Sequence, residues 1–353
     1  MDENLIFGLF LLVPCTLGLA LVVFARAVKR RRAPVKWGWL IGGNALLLFF
    51  LLCLGFVAGE GYFRYGYDTT DSIDLTRVCR RWAKRYWHLN SWRFRDDHDY
   101  AFQIAPGKRR VTFLGDSFTT GHGIKNPEDR FANIIRRAHP EWEIHLLALN
   151  GFDTGNEIGC LKEGLDSRYQ LQNVVLIYCL NDITDLQPES AQLLRRTEAE
   201  VAQAGWFRRN SYFADFVYCR YVAARDPHMR GYYSFMRDAY RGALWEQQKQ
   251  RLKALRDLVQ SHGGQLSVVT FPFFDTLGPD YPWRFVHEEL GRLWKELNVP
   301  HLDLLPIYAG LPPKRLTVNR FDPHPNEYAN RLAAGSIDRF LCETFKATAS
   351  TNE

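Results

Sequence analysis

The chain has 353 residues, 46% of them hydrophobic, which suits a membrane anchor followed by one α/β domain of about 250 residues. Its net charge of +6 does not indicate a nucleic-acid binder, because six basic residues crowd into residues 26–36 and the rest of the chain is neutral. The cysteines outside the apolar runs are scattered without CxxC or zinc-ligand spacing, which argues against a disulfide framework or a zinc site.

Two apolar stretches without a charged residue open the chain, at residues 5–25 and 37–59. Each is long enough to cross about 30 Å of hydrocarbon as a helix, so we expect a two-helix transmembrane hairpin in the lipid bilayer. The basic residues between the two stretches place that loop in the cytoplasm by the positive-inside rule. The expected location is therefore a bacterial inner or plasma membrane, with everything after residue 62 outside the cytoplasm.

A cleaved signal peptide is the rival interpretation of the first stretch, with Ala25, Arg26 and Ala27 as the cleavage site. The acidic residues before the stretch and its length argue against cleavage. Buried core helices are the other alternative, and two such runs flanking a basic cluster disfavour it.

Residues 65–108 show no clear period, and we interpret them as a juxtamembrane connector that packs on the next domain. From residue 109 onward, apolar runs of strand length alternate with stretches of helical spacing, which predicts a parallel sheet covered on both faces. Strands are predicted at residues 110–115, 143–149, 173–180, 265–271 and 301–305, and helices at 128–138, 156–165, 189–204, 241–262, 283–297 and 327–345. For the aromatic residues 206–240 we favour packing over a lid or a membrane-facing surface.

Four short motifs lie at the predicted strand ends or helix starts. Ser117 follows the first strand in a Gly-Asp-Ser sequence, Gly151 follows the second strand, and Asn181 ends the most apolar strand. Asp322 and His324 stand directly before the last helix. Each motif alone is typical of a turn or a helix cap, but ligands of such folds bind beyond the carboxyl ends of the strands, where all four converge.

With this order and placement, the chain resembles the SGNH (GDSL-type) hydrolase family from about residue 109 to 345. Four blocks define that family: a Ser in Gly-Asp-Ser, a Gly, an Asn in Gly-x-Asn-Asp, and an Asp/His pair near the C-terminus. The matching residues are Ser117, Gly151, Asn181 and His324 with Asp322. The resemblance implies a flavodoxin-like three-layer sandwich, with an anchor at residues 1–62, a connector at 63–108 and a hydrolase domain at 109–346.

The chain departs from the family pattern at two places. Cys179 stands where the family often has Gly, a position that donates no hydrogen bond to the substrate. The family's acid usually precedes the His by three residues, a place held here by Phe321, whereas Asp322 precedes His324 by two. Asp303, at the end of a predicted strand, is the fallback for orienting the histidine.

The resemblance implies a serine esterase that needs no cofactor and no metal. Its catalytic residues would be Ser117, His324 and Asp322, with Gly151 and Asn181 in the oxyanion hole and an ester-bearing substrate such as an acylated glycan or lipid. Two alternatives stay open: an O-acyltransferase acting on an envelope polysaccharide, and a non-catalytic binding protein that keeps the fold. His122, which lies close behind the serine, is left out of the catalytic machinery.

Overall fold

The computed structural model describes residues 2–32, 34, 36–72, 76–187, 199 and 203–351. The described helices are α1 (Glu3–Lys29), α2 (Trp37–Gly61), α3 (Arg77–Tyr86), α4 (Ser117–Thr120), α5 (Phe131–Ala138), α6 (Thr154–Asp166), α7 (Trp206–Asn210), α8 (Tyr212–Arg225), α9 (Pro227–Ala239), α10 (Ala243–Ser261), α11 (Arg284–Glu296), α12 (Leu305–Tyr308), α13 (Pro313–Leu316) and α14 (Glu327–Thr351). The described strands are β1 (Arg109–Gly115), β2 (Trp142–Ala148), β3 (Asn173–Cys179), β4 (Gln265–Phe271), β5 (His301–Asp303), β6 (Thr317–Asn319) and β7 (Asp322–Pro325).

The chain divides into two compact units that interleave along the sequence. The first holds residues 1–68, 75–81 and 198–225, and the second holds residues 69–74, 82–197 and 226–353. Part of the aromatic segment at residues 206–240 therefore belongs to the same unit as the two N-terminal helices.

In the first unit, α1 and α2 are both long and apolar enough to cross a membrane. Only 11% and 6% of their most apolar windows are buried, whereas a core helix of a globular domain is buried on most sides. The alternative of two core helices therefore does not fit. A π-helical turn, Tyr62–Gly66, extends α2, and this unit also holds the first five residues of α3 together with α7 and α8.

The second unit is built on a five-stranded sheet in the order β2-β1-β3-β4-β5, and every pairing in it is parallel. All seven residues of β3 are buried, as expected for a central strand covered on both faces. The five predicted strands agree with the structure to within two residues at each end. The expectation of a doubly wound parallel sheet is thereby confirmed.

The helices lie in two layers because the chain reverses direction along the sheet. It passes from β1 through α5 to β2 on one side of β1, and then through α6 to β3 on the other side. Right-handed crossovers in opposite directions place α5 and α6 on opposite faces of the sheet. The reversal falls between β1 and β3, where sheets of this order leave a crevice for a ligand.

Several described elements were not expected from the sequence. They are helix α3 in the connector, helices α7 to α9 in the aromatic segment, and the antiparallel pair β6–β7. The helix predicted at residues 189–204 falls almost entirely outside the described residues.

Candidate active site

Ser117 lies where β1 gives way to α4, at the edge of the sheet that holds the crevice. Strand β1 ends at Gly115, where an added Cβ would come within 2.3 Å of the Thr119 hydroxyl and 3.0 Å of a carbonyl oxygen of β3, so only glycine fits. Asp116 caps α4 by accepting a 2.9 Å hydrogen bond from the backbone N–H of Phe118. This tight turn makes Ser117 the first residue of the helix.

The structure joins Ser117, His324 and Asp322 in one hydrogen-bonded chain. The Ser117 Oγ lies 2.8 Å from His324 Nε2, and His324 Nδ1 lies 2.5 Å from an Asp322 carboxylate oxygen. Asp322 and His324 both lie on β7, and residues two apart on a strand point to the same side. The short spacing, which looked like a departure in the sequence, is what an extended strand needs to put the carboxylate beside the ring.

Asp322 is fully buried and is held by donors on both of its oxygens. One oxygen accepts from the His324 ring and, at 3.1 Å, from the His324 backbone N–H, and the Thr70 hydroxyl donates to the other. Burial alone would raise the pKa of Asp322, but the His324 charge and the hydrogen bonds from His324 and Thr70 outweigh it. The pKa of this carboxyl therefore lies well below its usual range, and Asp322 is ionised at neutral pH.

His122 forms a second histidine contact with the same carboxylate. Its Nε2 lies 3.5 Å from Asp322 Oδ2 and 3.3 Å from the Asp71 carbonyl oxygen, and its Nδ1 lies 2.8 Å from the Asn150 side-chain nitrogen. The Thr120 hydroxyl donates to the Asn150 side-chain oxygen at 2.7 Å, which orients the amide so that its NH₂ donates to Nδ1. In neutral His122 the proton is therefore on Nε2, directed at Asp322 and Asp71.

Gly151 and Asn181 lie on either side of Ser117. Gly151 follows β2 and Asn181 follows β3, and these two strands flank β1 in the sheet. Gly151 is exposed and has a φ of +76°, a conformation that glycine adopts without strain. The Asn181 side chain is half-buried and hydrogen-bonds the carboxyl group of Asp116.

Asp116 is one of three buried carboxyl groups close to this edge of the sheet. Burial raises the pKa of Asp116 to about 6, although hydrogen bonds from Phe118, Asn181 and Ser117 oppose the rise. Burial, reinforced by neighbouring carboxyl groups, raises the pKa values of Glu157 and Asp182 well above the usual range. These shifts favour the protonated forms of Glu157 and Asp182, which carry no negative charge.

Arg95, from the connector, fixes the loop that follows Ser117. This arginine is buried, and its guanidinium donates to the carbonyl oxygens of Thr120 at 3.1 Å, Gly121 at 2.5 Å and Ile124 at 2.5 Å. Arg95, in the part of the connector that belongs to the second unit, thus packs on the site.

Asp303, the fallback acid, pairs with a different histidine. Its carboxylate lies 2.8 Å from His287 Nδ1 and accepts from the Leu305 backbone N–H at 2.9 Å. The structure therefore brings Asp322 to His324 and leaves Asp303 with His287.

Among the described residues, two groups of side chains have ligand atoms within 4.8 Å of one another, as a metal site requires. The groups are His122, Asp322 and His324, and His139, Asp338 and Cys342. In the first group, His324 is hydrogen-bonded to Asp322 and Ser117, and His122 Nε2 lies 3.5 Å from the other Asp322 oxygen. The absence of a metal from the reaction stays a prediction.

Sequence reasoning missed Thr70, Asn150 and Arg95, and it left out His122. Thr70 and Arg95 come from the connector, far from the motifs, and carry no local pattern. His122 and Asn150 each lie within five residues of a predicted site residue, which was the one signal available.

No protein-family model and no curated protein matches the sequence significantly. Three solved structures that the chain resembles are a putative SGNH hydrolase from Slackia heliotrinireducens, the psychrotrophic esterase EstA from Pseudoalteromonas sp. and a putative lipolytic protein of the G-D-S-L family from Desulfitobacterium hafniense DCB-2. Their identities to the chain are 12%, 12% and 13%, and their TM-scores are 0.38, 0.42 and 0.42. The matches cover 66%, 68% and 66% of this chain and 99%, 100% and 99% of the others. At such low identity the likeness concerns the fold alone.

Proposed function

We propose that this protein is a serine ester hydrolase of the SGNH kind, held at a membrane by α1 and α2. The observation that carries the proposal is the hydrogen-bonded chain from Ser117 through His324 to Asp322 at the carboxyl end of β1. A serine hydroxyl is a weak nucleophile until a base accepts its proton, and a neighbouring carboxylate orients that base.

In the first step, His324 Nε2 accepts the proton of Ser117 as Oγ attacks the carbonyl carbon of the ester. Asp322 keeps the other ring proton on Nδ1 and stabilises the imidazolium that forms. His324 then donates its proton to the leaving alcohol, and an acyl group remains on Ser117. A water molecule, activated by His324 in the same way, releases the acid and restores the serine.

The negative charge that develops on the carbonyl oxygen needs hydrogen-bond donors that are already in place. We assign this role to the backbone N–H groups of Ser117 and Gly151 and to the side-chain amide of Asn181. Their positions at the ends of three adjacent strands support the assignment. The raised pKa values of Glu157 and Asp182 support it too, because they favour carboxyl groups without the negative charge that would oppose the oxyanion.

The second unit, which holds Ser117 and His324, would lie outside the cytoplasm. The reason is that the basic loop at residues 26–36 resists translocation. Substrates would then be esters found in the envelope, such as acylated glycans or lipids. A fusion after Glu353 tests this orientation in a bacterial host: alkaline phosphatase should be active there and green fluorescent protein should be dark. The opposite pattern would place the site in the cytoplasm.

Turnover of p-nitrophenyl esters by the purified full-length protein tests the activity itself. Ser117→Ala should lower turnover by about 10⁴-fold or more. Ser261→Ala should not, because Ser261 is an exposed serine that donates to the Leu258 carbonyl. Equal turnover in wild type and Ser117→Ala would refute the proposal.

The same assay separates hydrolysis from the alternative of acyl transfer, since both proceed through an acyl-serine. The purified full-length protein is given an acetyl donor with and without a sugar acceptor, and the products are followed by mass spectrometry. Release of acetate at the same rate in both cases indicates a hydrolase. Acetylated sugar formed at the expense of acetate indicates an acyltransferase.

A further inference from the structure

Helices α7 and α8, at residues 206–225, belong to the same compact unit as α1 and α2, although about 145 residues of sequence separate them from α2. The sequence left their role open. Three observations indicate which surroundings these two helices contact. They are the way the helices are attached to α1 and α2, their position along those helices, and the side chains that they expose.

The attachment centres on Glu60, a fully buried carboxylate at the end of α2. It accepts hydrogen bonds from the Ser211 hydroxyl at 2.6 Å and from the backbone N–H groups of Tyr212 at 3.1 Å and Phe213 at 2.9 Å. These two N–H groups belong to the first turn of α8, so Glu60 caps α8 and lies at the positive end of its dipole.

Arg64 balances the charge of Glu60 and ties three elements together. Its Nη2 lies 2.7 Å from the Glu60 carboxylate, and neither side chain is exposed. The guanidinium also donates to the carbonyl oxygens of Glu3, at the start of α1, and Asn210, at the end of α7. Removing one partner of a buried ion pair leaves the other charge uncompensated, so the pair resists opening. The segment is therefore fixed to the ends of α1 and α2 and does not swing as a lid.

The depth of α7 follows from the rings that it contacts. The Phe207 ring centroid lies 5.8 Å from that of Phe10 in α1 and 5.4 Å from that of Phe56 in α2. Phe10 lies five residues beyond Leu5, and Phe56 lies four residues before Glu60. At 1.5 Å per residue along the helix axes, Phe10 lies about 7.5 Å beyond Leu5 and Phe56 about 6 Å before Glu60.

The exposed side chains of α7 and α8 are mostly apolar or aromatic, with Arg209 and Arg225 among them. Trp206 and Phe207 of α7 are 52% and 50% exposed, while α8 exposes Val217, Tyr218 and Tyr221, which share one helical face.

Two arginines cover the exposed tyrosines of α8. The Arg208 guanidinium lies 4.1 Å from the Tyr218 ring centroid, and that of Arg225 lies 4.8 Å from the Tyr221 ring centroid. Aromatic rings with basic groups beside them are typical of segments that lie in the headgroup region of a bilayer.

We propose that α7 and α8 form a third membrane contact, lying in the interface of the leaflet in which α2 ends. This proposal rests on the proposed insertion of α1 and α2 in a bilayer. Interfacial helices bury their apolar side about 5–10 Å into the headgroup and acyl boundary, which agrees with the depth of Phe207. We assign the lipid bilayer as the partner that contacts this exposed face. The reason is that Phe207 of α7 lies against Phe10 and Phe56, within the apolar helices that we propose to be in lipid.

The test places an environment-sensitive fluorophore on Phe207→Cys in the full-length protein, reconstituted in phosphatidylcholine nanodiscs. Some of the lipids carry a nitroxide quencher near the headgroup. Leu12→Cys, on the exposed surface of α1, is the membrane control, and Gln260→Cys, on the exposed surface of α10, is the aqueous control. The cysteines that are not fully buried are replaced by alanine: Cys15, Cys53, Cys160 and Cys342.

The expected result is blue-shifted emission at position 207 and quenching at least about threefold stronger than at position 260. Quenching at position 207 as weak as at position 260, with strong quenching at position 12, would overturn the third contact alone. Weak quenching at position 12 would overturn the membrane hairpin and the third contact together. Fluorophosphonate labelling of the same samples reports on Ser117 separately, so a failure of the proposed chemistry is distinguishable from both.

A second measurement uses a conservative change and does not need the cysteine background. Trp206→Phe keeps an aromatic ring at this position. The difference between the tryptophan emission of the wild type and that of Trp206→Phe is the signal of Trp206 alone. Brominated lipids should quench that difference signal. A difference signal insensitive to brominated lipids would contradict the proposal.

Discussion

Replacing Asp322 by Asn tests which carboxylate orients the catalytic histidine. In the structure, Thr70 and His122 direct protons at one Asp322 oxygen, and His324 approaches the other. In Asp322→Asn, the amide oxygen would stay with Thr70 and His122, because the NH₂ group cannot accept their protons. The NH₂ group would then donate to His324 Nδ1 and move the ring proton to Nε2, which could no longer accept the proton of Ser117.

The wrong tautomer of a catalytic histidine costs about 10⁴-fold in kcat, or about 5.4 kcal/mol at about 1.36 kcal/mol per decade. We expect a loss of this size in kcat/KM for p-nitrophenyl acetate and a matching fall in the rate of fluorophosphonate labelling. Asp303→Asn is the matched control, because its carboxylate bonds His287, and it should stay within about threefold of wild type. The reasoning is refuted if Asp322→Asn stays within about tenfold of wild type, or if Asp303→Asn shows the large loss instead.

Three further predictions concern residues near the hydrogen-bonded Ser117, His324 and Asp322. Asn181→Ala should lower kcat by about 10²–10³-fold with a smaller change in KM, and steady-state kinetics showing a rise in KM alone would assign Asn181 to substrate binding or capping. His122→Phe should lower kcat by about 10–100-fold, because it removes a polar group that faces the buried Asp322 carboxylate at 3.5 Å, and unchanged kinetics would show that this contact does not support catalysis. Buried Glu157, whose pKa is raised by burial, contributes stability that is complete below its unfolded pKa of about 4.3 and is lost as pH rises toward its folded pKa, at up to about 1.4 kcal/mol per pH unit. Above about pH 4.3, thermal unfolding should therefore depend less steeply on pH in Glu157→Gln than in wild type, and equal slopes would contradict the raised pKa.

The sheet was predictable because burial on both faces produces continuous apolar runs. Strand β3 is the clearest case, since all seven of its residues are buried. The placement of Ser117, Gly151 and Asn181 then followed, because polar residues directly after parallel strands gather at one edge of the sheet. Pairing of Asp322 with His324 was less predictable, because nothing in the local sequence shows that Asp322–Pro325 is a strand.

Long-range contacts explain most of what the sequence did not reveal. Thr70 reaches Asp322 across more than 250 residues, and Arg95 reaches the loop after Ser117 from a connector without any period. Packing is the favoured interpretation of the aromatic segment from the sequence: Tyr212 and Phe216 of α8 are buried, whereas Phe207 of α7 is half exposed and lies against Phe10 and Phe56 of the apolar helices. Composition cannot distinguish a side chain that faces a protein core from one that faces lipid.

The most direct test of the account is to locate the serine that reacts with a fluorophosphonate. The full-length protein is labelled, and peptide mass spectrometry identifies the modified residue. The account predicts one adduct per chain, on Ser117, which disappears in Ser117→Ala and forms far more slowly in His324→Ala. An adduct on a different serine, or undiminished labelling of Ser117→Ala, would contradict the claim that His324 activates Ser117 as the nucleophile.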